Sequence, residues 1–228
     1  MIASNSLETP VLGLVGRGDG MRFDAGVVRE RLAHAALSEQ LKRIGLEDEF
    51  AVLGSFLAGP ESLRHFAANA SVNSDDHPVV AYHAPRITYA PDSSPGDRLS
   101  ELLRVLSIAP NELILPTAEP SWSARLAAYW LARDRFIASG RDVRPSAHVQ
   151  EMLTQVREPL LSVLRISPDF RLAYDPLLAM ATALARSDVA GARTLLTELS
   201  QIQPARSDAP QALAQLSSAP PNVESVQR

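Results

Sequence analysis

The chain has 228 residues, 46% of them hydrophobic, with 22 basic and 26 acidic side chains and a formal net charge of −4. That supplies apolar material for one domain or two small ones. The charges are scattered, leaving no basic stripe of the kind that neutralises phosphates, which argues against nucleic-acid binding. With no cysteine, disulfides, thiolate metal ligands and cysteine nucleophiles are excluded.

No apolar run approaches the ~18 residues that suggest a bilayer-spanning helix, and the first residues lack a basic start followed by an apolar stretch. The chain is therefore expected to be soluble and cytoplasmic. Residues 1–9 are polar and open the chain raggedly, and Val11 to Val15 then form an apolar run between Pro10 and Gly16, which predicts a short buried strand. The glycines that follow, Gly16, Gly18 and Gly20, have the look of a strand-to-helix loop whose backbone approaches a cofactor closely, as in folds that hold S-adenosylmethionine. Such a loop needs a second strand ending in an acidic residue about 20 positions on. Residues 28–46 are instead helical in pattern, so a plain turn is expected at Gly16 to Gly20, with cofactor binding there as an alternative.

From Asp24 onward Val27, Val28, Leu32, Leu37, Leu41 and Ile44 recur at helical spacing, and Gly45 ends the run. Leu46-Glu47-Asp48-Glu49 opens a short helix through Phe56, its acidic start matching the positive helix end. Gly59 breaks it, and Pro60 begins another, at a position where its missing donor is harmless. Next comes the block Asn73-Ser74-Asp75-Asp76-His77-Pro78, followed by Val79-Val80-Ala81-Tyr82 and His83-Ala84-Pro85-Arg86. Asn, Ser and Asp favour a turn and Pro78 disfavours helix at His77, so residues 79–82 are expected to leave the turn as a strand.

The block resembles the N-T-D-D-x-P, strand, A-P-R segment that ends the catalytic domain of spermidine synthase-like proteins, closest to the bacterial branch fused to a transporter-like membrane half. Ser74 stands for the usual Thr, and His77 for Arg or Asn. The resemblance covers about residues 8–95 and implies a late remnant of a Rossmann-like, methyltransferase-type α/β domain. For a complete member it implies aminopropyl transfer from decarboxylated S-adenosylmethionine to a polyamine. Asp75 and Asp76 are then the candidate catalytic carboxylates, able to face an ammonium group or to cap and orient the segment that follows. The register places the cofactor loop upstream of Met1, so the chain is expected to bind no cofactor alone and to depend on a missing catalytic or membrane half. Within a transporter-fused protein it would be membrane-associated.

Residues 89–97, rich in Pro, Ser, Asp and Gly, mark the expected domain boundary, giving a first domain over 1–95. Beyond it Leu99 to Leu106 and Ser121 to Ser139 are predicted helices, with Trp122 and Trp130 as core anchors and Arg133, Asp134 and Arg135 as a solvated face. Pro168 and Pro204 lie 36 residues apart, near the ~34-residue period of tetratricopeptide repeats, bracketing Phe170, Ala173, Tyr174, Leu177, Ala181, Asp188, Ala192, Leu196 and Leu199. The whole is thus expected to be mostly α with a few strands, residues 96–216 forming TPR-like hairpins able to bind a protein partner, and 217–228 a disordered tail. His34, His65, His77, His83 and His148 include no pair three or four apart, so no helical zinc site is expected. Two other readings stand beside the family one: a non-enzymatic TPR-like interaction module, and a small complete S-adenosylmethionine-dependent transferase.

Overall fold

The computed structural model describes residues 1–3, 10–16, 20, 22–90, 94–117 and 119–218. They are mostly helical, with two compact units, residues 1–142 and residues from 143 onward. Among the described residues no helix is long and apolar enough to cross a membrane. Gly18 and residues 219–228 of the expected tail lie outside the described residues.

The first unit holds two minimal strands, β1 (Ile2–Ala3) and β2 (Leu12–Gly13), paired antiparallel with Ile2 opposite Gly13. The strand expected over Val11 to Val15 shrinks to β2 and is not buried: Val11, Leu12, Leu14 and Val15 are all exposed. The helices that follow start where local chemistry starts them. Asp24 accepts from the backbone N–H groups of Gly26 and Val27 to open α1 (Ala25–Leu32). After α2 (Ala35–Lys42), Gly45 takes a φ of 74°, the left-handed conformation that lets the chain reverse. Asp48 caps α3 (Glu49–Gly54), and Pro60 opens α4 (Pro60–Ala67). With α1 and α2 helical, residues 28–46 contain no second strand, which removes the structural premise for a complete S-adenosylmethionine site built on Gly16 to Gly20.

The run Val79-Val80-Ala81-Tyr82 opens a helix, α5 (Val79–Thr88), and not the strand expected from its apolar character. A helix closes its hydrogen bonds within itself, whereas a strand here would need a neighbouring edge. The Asn73 side chain also satisfies an early orphan donor by accepting from Val80 N–H at 3.0 Å.

Three helices complete the unit: α6 (Pro95–Val105), α7 (Pro110–Leu113) and α8 (Pro120–Gly140). Leu57, Leu99 and Ile137 form one core cluster. Leu99 of α6 thus packs with a residue from before the expected boundary near residue 95, so α6 belongs to the first unit. A second part of the core joins α3 to α8, with the Phe50 and Trp122 rings stacked at 5.2 Å and the Tyr129 ring against Gly54, where a Cβ would overlap it.

Arg133 is a correction to the solvated face expected around it: it is only 2% exposed. It lies on the stripe of Leu126, Trp130 and Ile137, and its guanidinium donates to the carbonyls of Gly54 (2.8 Å) and Phe56 (2.5 Å) at the end of α3 while pairing with Asp134 at 2.7 Å. Trp130 Nε1 donates to the Leu53 carbonyl at 3.1 Å. Together they satisfy carbonyls that the end of a short helix leaves unpaired.

The second unit consists of α9 (Val149–Ile166), α10 (Arg171–Leu184), α11 (Val189–Ile202) and α12 (Asp208–Ser218), each packed on the next in sequence, with α10 also touching α12. Ser217 and Ser218 therefore end a helix. A shift of 36 residues carries Leu160, Ile166 and Pro168 onto Leu196, Ile202 and Pro204, and Ala173 and Leu177 onto Ala209 and Leu213. The period thus relates α9 to α11 as well as α10 to α12. Ala173, Ala181, Ala192 and Ala209 are completely buried, small side chains that allow close approach of the helices. Gln203 Nε2 donates to the Pro168 carbonyl at 2.9 Å, tying the start of one period to the start of the next.

Candidate functional site

Asp75 and Asp76 project from an exposed turn. Ser74 and His77 close it from either side, Ser74 N–H donating to the His77 carbonyl at 3.2 Å and His77 N–H to the Ser74 carbonyl at 3.1 Å. Among the described residues neither carboxylate has a hydrogen bond or ion pair. The turn is held by the residues around the aspartates, which themselves face water. His77 and His83 are exposed too, and among the described residues no group of three His, Asp or Glu side chains could hold a metal.

The two described members of the glycine set behave differently. A Cβ on Gly16 would meet no atom of the chain within 4 Å, so nothing in the fold demands glycine there. Gly20 has φ 61°, a left-handed conformation that does favour glycine.

The first unit has a polar pair of another kind at Glu49, which is buried and accepts from Arg29 Nε at 2.7 Å. Burial opposes ionisation, but the Arg29 hydrogen bond, Glu49's own backbone N–H and the Arg29 charge outweigh it, and the pKa lies below the ordinary carboxylate value. The Trp122 indole N–H is buried without a partner in bonding geometry, yet it favours the charged form of the same carboxylate. With Arg125 stacked 4.4 Å over the Phe50 ring, these groups pin α1, α3 and α8 together and serve packing.

In the second unit, α9 and the α10–α11 turn enclose a groove of about 450 Å³. Gln150, Leu153, Thr154 and Arg157 line one side, at spacings that place them along one helix face. Leu184, Asp188, Gly191 and Leu195 line the other. The three leucines form an apolar floor under a rim of amide, hydroxyl and guanidinium groups. Asp188 is fixed by its capping role: it accepts from Gly191 N–H at 2.8 Å, and a side chain at Gly191 would collide with that carboxylate. Arg157 spans from α9 to α11 through a 2.8 Å bond to Glu198 Oε1, while Glu198 Oε2 is buried without a partner. The groove is thus a shaped apolar trough with a polar edge, suited to holding one apolar side chain of an extended peptide.

The sequence places Leu177, Leu196, Leu199 and the alanines in a repeat, but it singles out neither the groove nor its leucines, Leu153, Leu184 and Leu195. The available signal was the row Gln150, Thr154 and Arg157, polar at helical spacing beside the buried Leu153. No protein-family model, curated protein or solved structure matches the chain.

Proposed function

We propose that the chain is a docking module, with residues 149–218 as its working part, and that it forms the catalytically incomplete carboxy-terminal portion of a spermidine synthase-like aminopropyltransferase. The observation that carries the docking reading is the groove floored by Leu153, Leu184 and Leu195, which the neighbouring helices leave open. A partner peptide would set an apolar side chain on that floor and meet Gln150, Thr154 and Arg157 with its backbone, the manner in which stacked helical repeats bind extended segments. The 36-residue recurrence of Pro, Leu and Ala positions supports a TPR-like identity for these hairpins.

The family part of the proposal rests on the block Asn73 to Arg86. In this reading residues 1–95 are a much altered late part of a Rossmann-like domain, and decarboxylated S-adenosylmethionine is the substrate of a complete family member. In this reading Asp75 and Asp76 are solvated turn residues of this chain, since Ser74 and His77 close the turn without either carboxylate.

The test uses the full chain. A photo-reactive side chain at Thr154 cross-links the partner in a lysate of the native host, the partner is identified and purified, and its affinity is measured for wild type and Thr154→Trp. Filling the groove should weaken binding about tenfold or more at an unchanged melting temperature, since Thr154 is exposed. Equal affinity for both proteins would sink the proposal.

A further inference from the structure

The first unit carries a cleft of about 540 Å³ that the docking reading leaves unused. It is built by pairing two distant segments. Phe23 N–H donates to the Leu113 carbonyl and Leu115 N–H to the Phe23 carbonyl, both at 2.8 Å, a short parallel bridge that fixes Phe23 beside α7. The Phe23 and Phe56 rings meet at 5.6 Å, tilted 56° to each other, and with Leu63 and Leu113 they give the cleft an apolar floor. Its size falls within the several hundred Å³ typical of small-molecule sites.

The charged wall decides the ligand class. Arg64 and Glu112 line the cleft as well, but both are engaged: Arg64 pairs with Glu61, and Glu112 accepts from the Glu61 N–H at the start of α4. Arg22 differs. Its Nη1 donates to the Asn111 carbonyl at 2.8 Å, which anchors the guanidinium, and no carboxylate of the described residues pairs with it. An anchored guanidinium retains donors in a planar fork that matches a carboxylate. Glu112 brings a negative charge to the same cleft, but its carboxylate is turned to the start of α4, against Gly59 and the Glu61 N–H, which leaves Arg22 as the group open to a charged ligand head.

We infer that this cleft binds an amphipathic carboxylate, an aliphatic or aromatic body lying on Phe23, Phe56, Leu63 and Leu113 with its anionic head on Arg22. The inference is independent of the groove in the second unit.

The test titrates the full chain with sodium decanoate and, as a neutral control, methyl decanoate, following heat and backbone amide shifts together. Decanoate should bind and move the amides of Phe23 and Leu113, with the ester weaker by about tenfold, the worth of one charge-assisted pair. Arg22→Gln should bring decanoate down to the level of the ester. Arg22 is exposed, so the melting temperature should hold. A second variant, Leu63→Trp, should fill the cleft and weaken both ligands. The proposal is overturned if decanoate does not bind the folded chain, if acid and ester bind equally, if Arg22→Gln changes nothing, or if the shifts fall on Leu153 and Leu195 instead.

Discussion

Among single residues, Arg133 is the one whose environment departs furthest from its chemical character. Burying a guanidinium is costly, and burial lowers its pKa despite the opposing charge of Asp134. The cost is offset because the carbonyls of Gly54 and Phe56 would otherwise be buried without donors, and because Asp134 is close enough to accept twice, at 2.9 and 2.7 Å. Arg133→Met keeps the bulk and removes every donor, so it should destabilise the first unit by about 3 kcal/mol. Arg133→Lys should recover only part of that, since an ammonium cannot span the same acceptors in one plane. Urea unfolding followed by tryptophan fluorescence reads this directly, as both tryptophans lie in the same core. A loss below about 1 kcal/mol for Arg133→Met, within the range of one ordinary hydrogen bond, would refute the account. The burial was legible in part: Arg133 falls on the stripe of Leu126, Trp130 and Ile137, but a charged residue between polar neighbours gives no sign that a distant helix end needs its donors.

At the scale of elements, helix starts were the best-marked features because their causes are local. Pro60 marks the first residue of its helix, while Asp48 and Asp188 each accept from a backbone N–H three residues on. The failures came where a short apolar run leaves helix and strand equally open. Val79 to Tyr82 is such a run, and its helix is set by Asn73 and by the absence of a sheet edge beside it. This gives α5 an unusual energetic position: none of its residues is buried, with Val80 60% and Tyr82 71% exposed, so its stability comes from its own hydrogen bonds, that side-chain cap at its start and the Arg98 guanidinium on the Ile87 carbonyl near its end. Asn73→Ala should cost α5 about 1 kcal/mol and speed amide exchange at Val80 to Ala84. The melting temperature of the unit should not change, because no core side chain is touched. A fall in that temperature, or exchange at the wild-type rate, would show that α5 is held by something other than Asn73.

At the scale of the whole chain, periodicity carries the second unit and pairing at a distance carries the cleft of the first, and only periodicity is visible in a linear sequence. Pro168 and Pro204 announce the repeat, whereas the recurrence of α9 in α11 is masked by exchanges such as Val156 for Ala192 and Ser167 for Gln203. The meeting of Phe23, Phe56 and Leu113 depends on a two-bond bridge with no sequence mark. The same distinction bears on catalysis. Binding decarboxylated S-adenosylmethionine requires a glycine loop against the cofactor, an acidic strand end for the ribose, and carboxylates held near the reacting amine. The stretch where that strand would lie forms α1 and α2, and Asp75 and Asp76 stand in water on a turn that needs neither of them. Titration of the full chain with decarboxylated S-adenosylmethionine should therefore give no binding heat, and Asp76→Ala should leave the melting temperature unchanged. Micromolar binding abolished by that substitution would reverse the reading, since an exposed turn residue can cost affinity without costing stability only if it touches the ligand.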